Sequence, residues 1–214
     1  MLLAKVGKRI APMAVVMLLV SCNGQPQPPQ PASKSTATEP SDMRTAVPLV
    51  RRLDPADTGP LELDFDVPAL PDDDSPPLFI GVRIAGNDPS VTAEVARRLV
   101  DAGVSARVQL FHLDHVGQTQ VTLLRSDMTP GSGTELIELP ADGLVPGLMP
   151  FDSDFNTMQA AGLLVEESYR ELAFALVPNL PAGRYRLVLV VSENRNALTD
   201  AHAELLVAYT RKAK

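Results

Sequence analysis

Short apolar segments, separated by turns that contain proline and glycine, dominate the chain from Leu61 to Tyr209. Most of these segments are alternating or β-branched, which is typical of strands, and only one has the pattern of a helix. Parallel strands need a crossover helix at each connection, and one helix cannot serve about eight strands. The pattern therefore predicts a mainly β fold, an antiparallel β-sandwich with one inserted α-helix.

The segment Leu61–Val67 is the clearest strand, because four apolar residues alternate with three acids. This alternation predicts one buried and one solvated face. Further strands are predicted at residues 78–84, 105–113, 120–125, 135–139, 169–177, 185–191 and 203–209. Residues 105–113 and 120–125 have the pattern of a hairpin. Gly81, inside the second strand, indicates a bulge or a close approach of two backbones.

The one predicted helix begins after Asp88 and ends before Gly103. Asp88 can cap the helix, and Pro89 suits the first helical position because its missing amide has no partner there. Gly103 is a typical C-terminal stop. The expected apolar face consists of Val91, Val95, Ala96, Leu99 and Val100. Residues 140–156 are predicted to form a long loop, and residues 157–166 are compatible with helix or coil.

The N-terminus has the composition of a signal peptide. Met1–Arg9 contains three bases and no acid, and the eleven residues Ile10–Val20 are apolar apart from Pro12. A membrane-spanning helix needs about 20 apolar residues, so this segment is too short to remain as an anchor. Residues 1–21 are therefore predicted to be removed.

The residues Leu19-Val20-Ser21-Cys22 resemble the lipobox of bacterial lipoproteins at all four positions. The resemblance implies cleavage before Cys22 and lipidation of Cys22 with several acyl chains. Several chains hold a protein at a membrane far more firmly than one chain does. Asn23, in place of aspartate, implies the periplasmic face of the outer membrane by resemblance to lipoprotein sorting rules.

The next segment, up to about Val47, is rich in Pro, Gln, Ser and Thr. This composition predicts a disordered tether. We therefore expect three regions, namely a signal peptide at 1–21, the lipidated Cys22 with its tether at 22–59, and a β-sandwich domain at 60–214. The first ordered strand is expected at Leu61.

Charge and cysteine content exclude several classes of function. Removal of the three bases in residues 1–21 takes the net charge from −7 to about −10. An acidic surface without a basic stripe repels nucleic acid, so no nucleic-acid partner is expected. Because Cys22 is the only cysteine, the domain can have no disulfide and no catalytic or metal-binding thiolate once Cys22 carries lipid.

His112, Asp114 and His115 carry the ligand types that zinc or copper prefers. Residues three apart on a strand point to opposite faces, so both histidines could reach one metal only across a sharp turn. His202 could supply a third imidazole, but nothing local demands it. We therefore expect no metal site, with these residues as the set that would form one.

Other constellations are also incomplete. Residues 152–156 resemble the start of a calcium loop, but Thr157 and Leu163 replace the glycine and glutamate that complete it. Asp72–Asp74 have the composition of a solvated turn. Gly131-Ser132-Gly133 is not a nucleophile elbow, and adjacent Glu166 and Glu167 cannot face each other as a glycosidase pair. We therefore expect no catalytic residue, no enzyme activity and no cofactor.

The segment Leu180–Leu187 resembles a turn found in many immunoglobulin-like domains. In those domains a small loop that ends in glycine delivers a tyrosine to the start of a late strand, as Gly183 and Tyr185 do here. The resemblance implies an immunoglobulin-like sandwich. The absence of the paired cysteines and of tryptophan excludes an antibody-type domain.

Residues 60–212 as a whole resemble a proteobacterial lipoprotein family of unknown function. The likeness rests on a Leu-Asp-Phe-Asp-Val-Pro strand, a Leu-Phe-Ile-Gly-Val-Arg strand, a helix with Ala-Arg-Arg-Leu, and the ending Gly-Arg-Tyr-Arg-Leu at residues 183–187. Some members are associated with type VI secretion effectors. The resemblance implies an immunity protein that neutralises a secreted effector.

The expected function is thus a lipid-anchored binding protein without catalytic activity, whose acidic surface would attract a basic partner. Two alternatives remain open at this point. The first is a scaffold or assembly lipoprotein of the envelope that acts through the edge strands of the sandwich. The second is a carrier of a metal or a small solute.

Overall fold

The computed structural model describes residues 43–69, 76–129 and 133–211. The signal peptide, Cys22 and most of the predicted tether lie outside the described residues, as do Asp72–Asp74 and the pair Gly131-Ser132. None of the helices in the described part of the chain is both long enough and apolar enough to cross a membrane.

Strands outnumber helices within these ranges, as the sequence predicts. The strands are β1 Leu49–Arg52, β2 Leu61–Val67, β3 Leu78–Gly86, β4 Ser105–Leu113, β5 Gln118–Gln120, β6 Leu124–Thr129, β7 Gly133–Glu138, β8 Leu144–Val145, β9 Met149–Phe151, β10 Ser168–Val177, β11 Gly183–Glu193 and β12 Glu204–Tyr209. The helices are α1 Pro89–Asp101, α2 Phe155–Ala160 and α3 Arg195–Asp200. The fold is mainly β, but it contains three helices where one was expected.

The strands form two antiparallel sheets, which confirms the predicted sandwich. One sheet has the order β1-β12-β3-β10-β6-β7, with β9 also paired to β10. The other has the order β2-β11-β4-β5, with β8 also paired to β4. Every named strand pair is antiparallel. The alternation of β11 places Tyr185, Leu187 and Leu189 in the main core.

A second, smaller core lies on a different face from the main one. It joins Phe79 of β3, Ala173 of β10 and Leu206 of β12 to Met158 of α2 and to Leu163. Apolar residues that point away from the main core are thereby buried as well. This second layer explains why β3 and β12 have almost continuous apolar sequences instead of alternating ones.

The sequence predicts the first strand at Leu61, and this is wrong because β1 precedes it. Leu49 and Val50 are fully buried, and Leu49–Arg52 pair with β12. The described residues before position 60 thus belong to the folded body and not to the predicted tether. Two apolar residues followed by two arginines give no alternation, which is why the pattern does not mark this strand.

The predicted hairpin of residues 105–113 and 120–125 is only partly present. β4 pairs with β5, a strand of three residues, whereas β6 pairs with β7 and β10 in the other sheet. The chain therefore changes sheets between Gln120 and Leu124. The predicted loop at 140–156 also contains two short strands, β8 and β9.

The start and end of α1 are confirmed. The Asp88 side chain accepts hydrogen bonds from the backbone N–H groups of Ser90 and Val91, with Pro89 at the first helical position. Gly103 follows the helix with a φ of 64°. The predicted apolar face is wrong at Val91, which is 56% exposed. Thr92 is buried instead, and its hydroxyl lies 2.8 Å from that of Ser168.

Gly81 is the close approach that the sequence indicates. A Cβ at this position would overlap the carbonyl oxygen of Leu172 and lie 2.8 Å from the Cα of Ala173. β10 has an irregular register between Ala173 and Ala175, next to this contact. Only glycine fits where the bulged strand crosses β3 so closely.

α2 and α3 end in the same hydrogen-bonded motif, but with different residues at its left-handed position. After α3, His202 donates its N–H to Thr199 and Ala203 donates to Leu198, and the φ of His202 is 48°. After α2 the corresponding residue is Gly162, with a φ of 69°. This is a Schellman ending, in which glycine is the preferred residue.

Replacement of His202 by glycine is expected to raise the free energy of unfolding by roughly 0.5 kcal/mol, because the left-handed conformation is strained for residues with a Cβ. The opposite kind of change at the corresponding position after α2, Gly162→Ala, is expected to lower the free energy of unfolding by about 1 kcal/mol. Urea denaturation of the two variants and the parent protein measures both effects. A destabilised His202→Gly variant would contradict the argument.

Candidate functional site

The three residues that the sequence offers as a possible set of metal ligands, His112, Asp114 and His115, have separate environments in the structure. The His112 ring packs against Tyr185, with ring centroids 5.0 Å apart. Asp114 accepts hydrogen bonds from the N–H groups of Val116 and Gly117, and these bonds lower the pKa of its carboxyl. His115 is exposed in the same turn. Nowhere in the described ranges do three His, Cys, Asp or Glu residues come together in a group that could hold a metal ion.

The resemblance of residues 152–156 to a calcium loop has a different structural origin. Asp154 caps α2 by accepting a hydrogen bond from the N–H of Thr157 at 2.9 Å. Ser153 donates its hydroxyl to Oε1 of Glu171 at 2.6 Å and its N–H to Oε2. These residues therefore shape the start of α2 and hold the side chain of Glu171.

Two adjoining cavities lie beside β9 and the start of β10, and we call them together the acidic groove. Their volumes are about 400 and 580 Å3, and both are lined by Asp152, Arg170 and Glu171. The first cavity extends to α1 at Ala93 and Val100. The second extends to α2 and to the segment before β10, and it is lined by Phe155, Gln159, Leu164, Glu166 and Glu167.

Acidic side chains outnumber basic ones in the groove. Four carboxylates, those of Asp152, Glu166, Glu167 and Glu171, line the larger cavity together with one arginine, Arg170. Arg97, at the end of the smaller cavity, hydrogen-bonds to Glu94 and Asp101 on its own helix. The local potential is therefore negative.

Glu171 is half-buried at the centre of the groove. Burial raises the pKa of its carboxyl, and the negative charge of Asp152 acts in the same direction, whereas the two hydrogen bonds from Ser153 lower it. A carboxylate that is partly removed from water gains more from a nearby cation than an exposed one does.

The groove also offers apolar and backbone contacts. Phe155 is 63% exposed on its wall and offers an aromatic surface for contact. Ser168, Tyr169 and Arg170 of β10 pair with β3 on one side, and no strand in the described ranges pairs on their other side because β9 ends opposite Glu171. This short strand edge is therefore open at the groove.

A further depression of about 430 Å3, which we call the Arg83 cavity, adjoins the groove at Glu166 and Tyr169, which line both. Arg83 is 4% exposed, and it donates Nε to Glu204 at 2.8 Å and Nη1 to the carbonyl of Leu163 at 2.7 Å. Its guanidinium lies 5.2 Å from the centre of the Tyr169 ring. His202 lines this cavity, whereas His112 lies on β4 of the other sheet and His115 lies in the turn after β4.

The residues of the candidate sites that sequence reasoning missed are Glu171 and Arg83. Arg83 had one usable signal, because it is a charged residue inside a strand whose neighbours are all apolar. Glu171 had none, since its partner Ser153 lies in a segment with the pattern of a loop. Glu166 and Glu167, which the sequence excludes as a catalytic pair, lie on the groove wall.

Comparison with known proteins adds no assignment, because no family model, no curated protein and no solved structure matches the chain.

Proposed function

We propose that this chain is a lipid-anchored, noncatalytic binding protein of the bacterial envelope, and that it holds a basic segment of a partner protein in the acidic groove. The observation that carries the proposal is the arrangement of four carboxylates, an exposed aromatic ring and an open strand edge around one depression. Such a surface supplies steering charge, an apolar contact and backbone hydrogen bonds together.

The proposal places the protein at the periplasmic face of the outer membrane, attached through Cys22. Its support is the lipobox at Leu19–Cys22, with Asn23 after it. We also propose that the sandwich is immunoglobulin-like. The hydroxyl of Tyr185 donates to the carbonyl of Pro181 at 2.8 Å, which is the contact of a tyrosine corner and supports this assignment.

Replacement of Cys22 by serine tests the anchor. The variant is expected to move from the detergent phase to the aqueous phase on detergent partitioning, because no sulfur remains to carry acyl chains that contribute about 0.8 kcal/mol per buried CH2. Its unfolding midpoint is expected to equal that of the parent protein. The control is Ser33→Ala in the predicted tether, and retention of Cys22→Ser in the membrane fraction would refute the anchor.

Charge reversal tests the groove. Asp152 and Glu167 are exposed, and no hydrogen bond to either side chain is present in the described part of the chain. The double variant Asp152→Lys/Glu167→Lys is therefore expected to fold normally. Its affinity for the partner that copurifies from membranes is expected to fall at least tenfold, about 1.4 kcal/mol, by isothermal titration calorimetry.

The matched control is Glu135→Lys/Glu138→Lys on β7, which changes the net charge equally at another exposed site. Loss of affinity only in the groove variant supports the proposal. Equal loss in both variants would mean that net charge alone attracts the partner. Loss only in the β7 variant would move the binding surface to the edge strand.

The role as an immunity protein rests on the family resemblance described above and on the charge of the groove. A scaffold function is the second candidate, and one observation favours it. β7 is the outermost strand of its sheet, and Leu136 and Ile137 on it are 54% and 37% exposed. An apolar edge strand can pair with a strand of another protein.

Competition between sibling cells separates these two functions. Cells that lack the protein are expected to lose viability when mixed with cells that deliver the cognate effector. Cells that express the Asp152→Lys/Glu167→Lys variant are expected to be equally sensitive. Equal survival of deletion and parent strains would reject immunity and leave the scaffold function.

A further inference from the structure

The ion pair between Arg83 and Glu204 leaves one polar atom of each side chain unused. Nε of Arg83 contacts Oε2 of Glu204, and Nη1 contacts Leu163, but neither Nη2 of Arg83 nor Oε1 of Glu204 makes a hydrogen bond in the described part of the chain. Neither atom is sealed from solvent. Both residues line the Arg83 cavity, so both side chains can contact an occupant of that cavity.

The position of this pair is unusual for a structural ion pair. Arg83 is 4% exposed, and removal of a guanidinium from water costs several kcal/mol unless its donors are all satisfied. A purely structural arginine at such a site is expected to use its full fork of donors. A guanidinium donor without a protein partner can form a strong charge-assisted hydrogen bond with the carboxylate of a ligand.

The lining of the cavity carries both signs of charge. Arg52 and Arg83 supply positive charge, and Glu166 and Glu204 supply negative charge. Apolar contacts come from Leu53, Pro55, Ala85, Val165 and Ala203. A simple anion would meet two carboxylates and a simple cation would meet two guanidinium groups, so neither fits the lining well.

The segment that carries Glu166 is fixed from two sides. The hydroxyl of Tyr169 accepts the N–H groups of Val165 and Glu166, both at 2.6 Å. Arg83 holds the carbonyl of Leu163, at the start of the same segment. The carboxylate of Glu166 is thereby attached to a backbone that is already in place, which reduces the entropic cost of binding.

We propose that the Arg83 cavity binds a small zwitterion, a free α-amino acid, with its carboxylate at Nη2 of Arg83 and its ammonium group toward Glu204 and Glu166. The volume of about 430 Å3 suits a ligand of this size with an apolar side chain. The site shares Glu166 and Tyr169 with the acidic groove, but the inference does not depend on the proposed function.

The test uses the full-length protein in detergent and four probes, namely alanine, leucine, propionate and propylamine. Calorimetric titration is expected to give a Kd of about 1 mM or lower for one or both amino acids, and values at least tenfold higher for propionate and propylamine. Thermal unfolding should shift upward with the amino acids alone. Absence of binding by both amino acids, or propionate binding as tight as that of alanine, would overturn the proposal.

Variants at the rim assign the ammonium contact without disturbing Arg83. Glu166→Gln is expected to weaken binding of the tighter amino acid at least fivefold and to leave propionate unchanged or bound more tightly. The matched control is Glu167→Gln, the neighbouring residue, which lines the groove and not the Arg83 cavity. Equal effects of the two variants, or no effect of Glu166→Gln, would overturn the assignment of this carboxylate.

Discussion

Replacement of Gly81 by alanine is expected to lower the free energy of unfolding by about 3 kcal/mol or more. The added Cβ would overlap the carbonyl oxygen of Leu172 and lie 2.8 Å from the Cα of Ala173, so that backbone and not a flexible side chain must move. Overpacking of a core typically costs 1–3 kcal/mol, and a clash with backbone falls at the upper end or beyond. β3 and β10, both central strands of their sheet, would have to separate.

Urea denaturation measures this effect, and Gly147→Ala is the matched control. A Cβ at Gly147 meets no atom within 4 Å, and its φ is not in the left-handed region. The control is therefore expected to change stability by less than about 0.5 kcal/mol. Equal unfolding midpoints for Gly81→Ala and the parent protein would mean that the two strands can move apart freely.

Removal of the Arg83 guanidinium is the second large effect. Arg83→Met is expected to lower the free energy of unfolding by about 3 kcal/mol, because Glu204 loses the partner of a partly buried carboxylate and the carbonyl of Leu163 loses its donor. The change keeps most of the apolar volume, so a cavity contributes little.

The double variant Arg83→Met/Glu204→Leu tests whether the loss of stability comes from the unpaired charge that Glu204 keeps in Arg83→Met. It is expected to recover about half of the lost stability, since no unpaired charge remains. Arg97→Met is the surface control. Arg97 forms ion pairs with Glu94 and Asp101 on an exposed helix face, where the loss of such pairs is expected to change the free energy of unfolding far less than Arg83→Met does. A double variant that is less stable than Arg83→Met would contradict the explanation.

The elements that could be predicted from the sequence are those whose signals are local. β4 occupies residues 105–113 as predicted, because its alternation matches burial on one face. α1 begins and ends where Asp88 and Gly103 indicate, because capping depends on neighbours within a few residues. The sandwich follows from the number of strands and the shortage of crossover helices.

The elements that were missed depend on distant parts of the chain. α3 has six residues and no side-chain cap, and Asn194 before it is left-handed. Its stability comes from the burial of Leu198 in the main core, which a local pattern does not reveal. The burial of Val91 was wrongly predicted because its position on the helix faces solvent, which the apolar side chain alone does not reveal.

The candidate sites were missed for the same physical reason. Arg83 contacts Leu163 and Glu204, which lie 80 and 121 residues away in sequence. Glu171 contacts Ser153 across the space between β9 and β10. Only the topology of the sheet brings these residues together. In contrast, His112 and His115 are close in sequence but have separate environments.

β1 determines how the folded body responds to mechanical load. β1 is an edge strand and the first strand of the described residues, among which only β12 forms a ladder with it. Tension from the N-terminal side therefore acts first on the two backbone hydrogen bonds that join Thr45 and Val47 to Asp66 of β2, and then on the four residues of β1. Leu49 of β1 belongs to the main core and Val50 to the smaller one, and both are fully buried. Detachment of β1 from β12 would therefore expose both apolar cores at once.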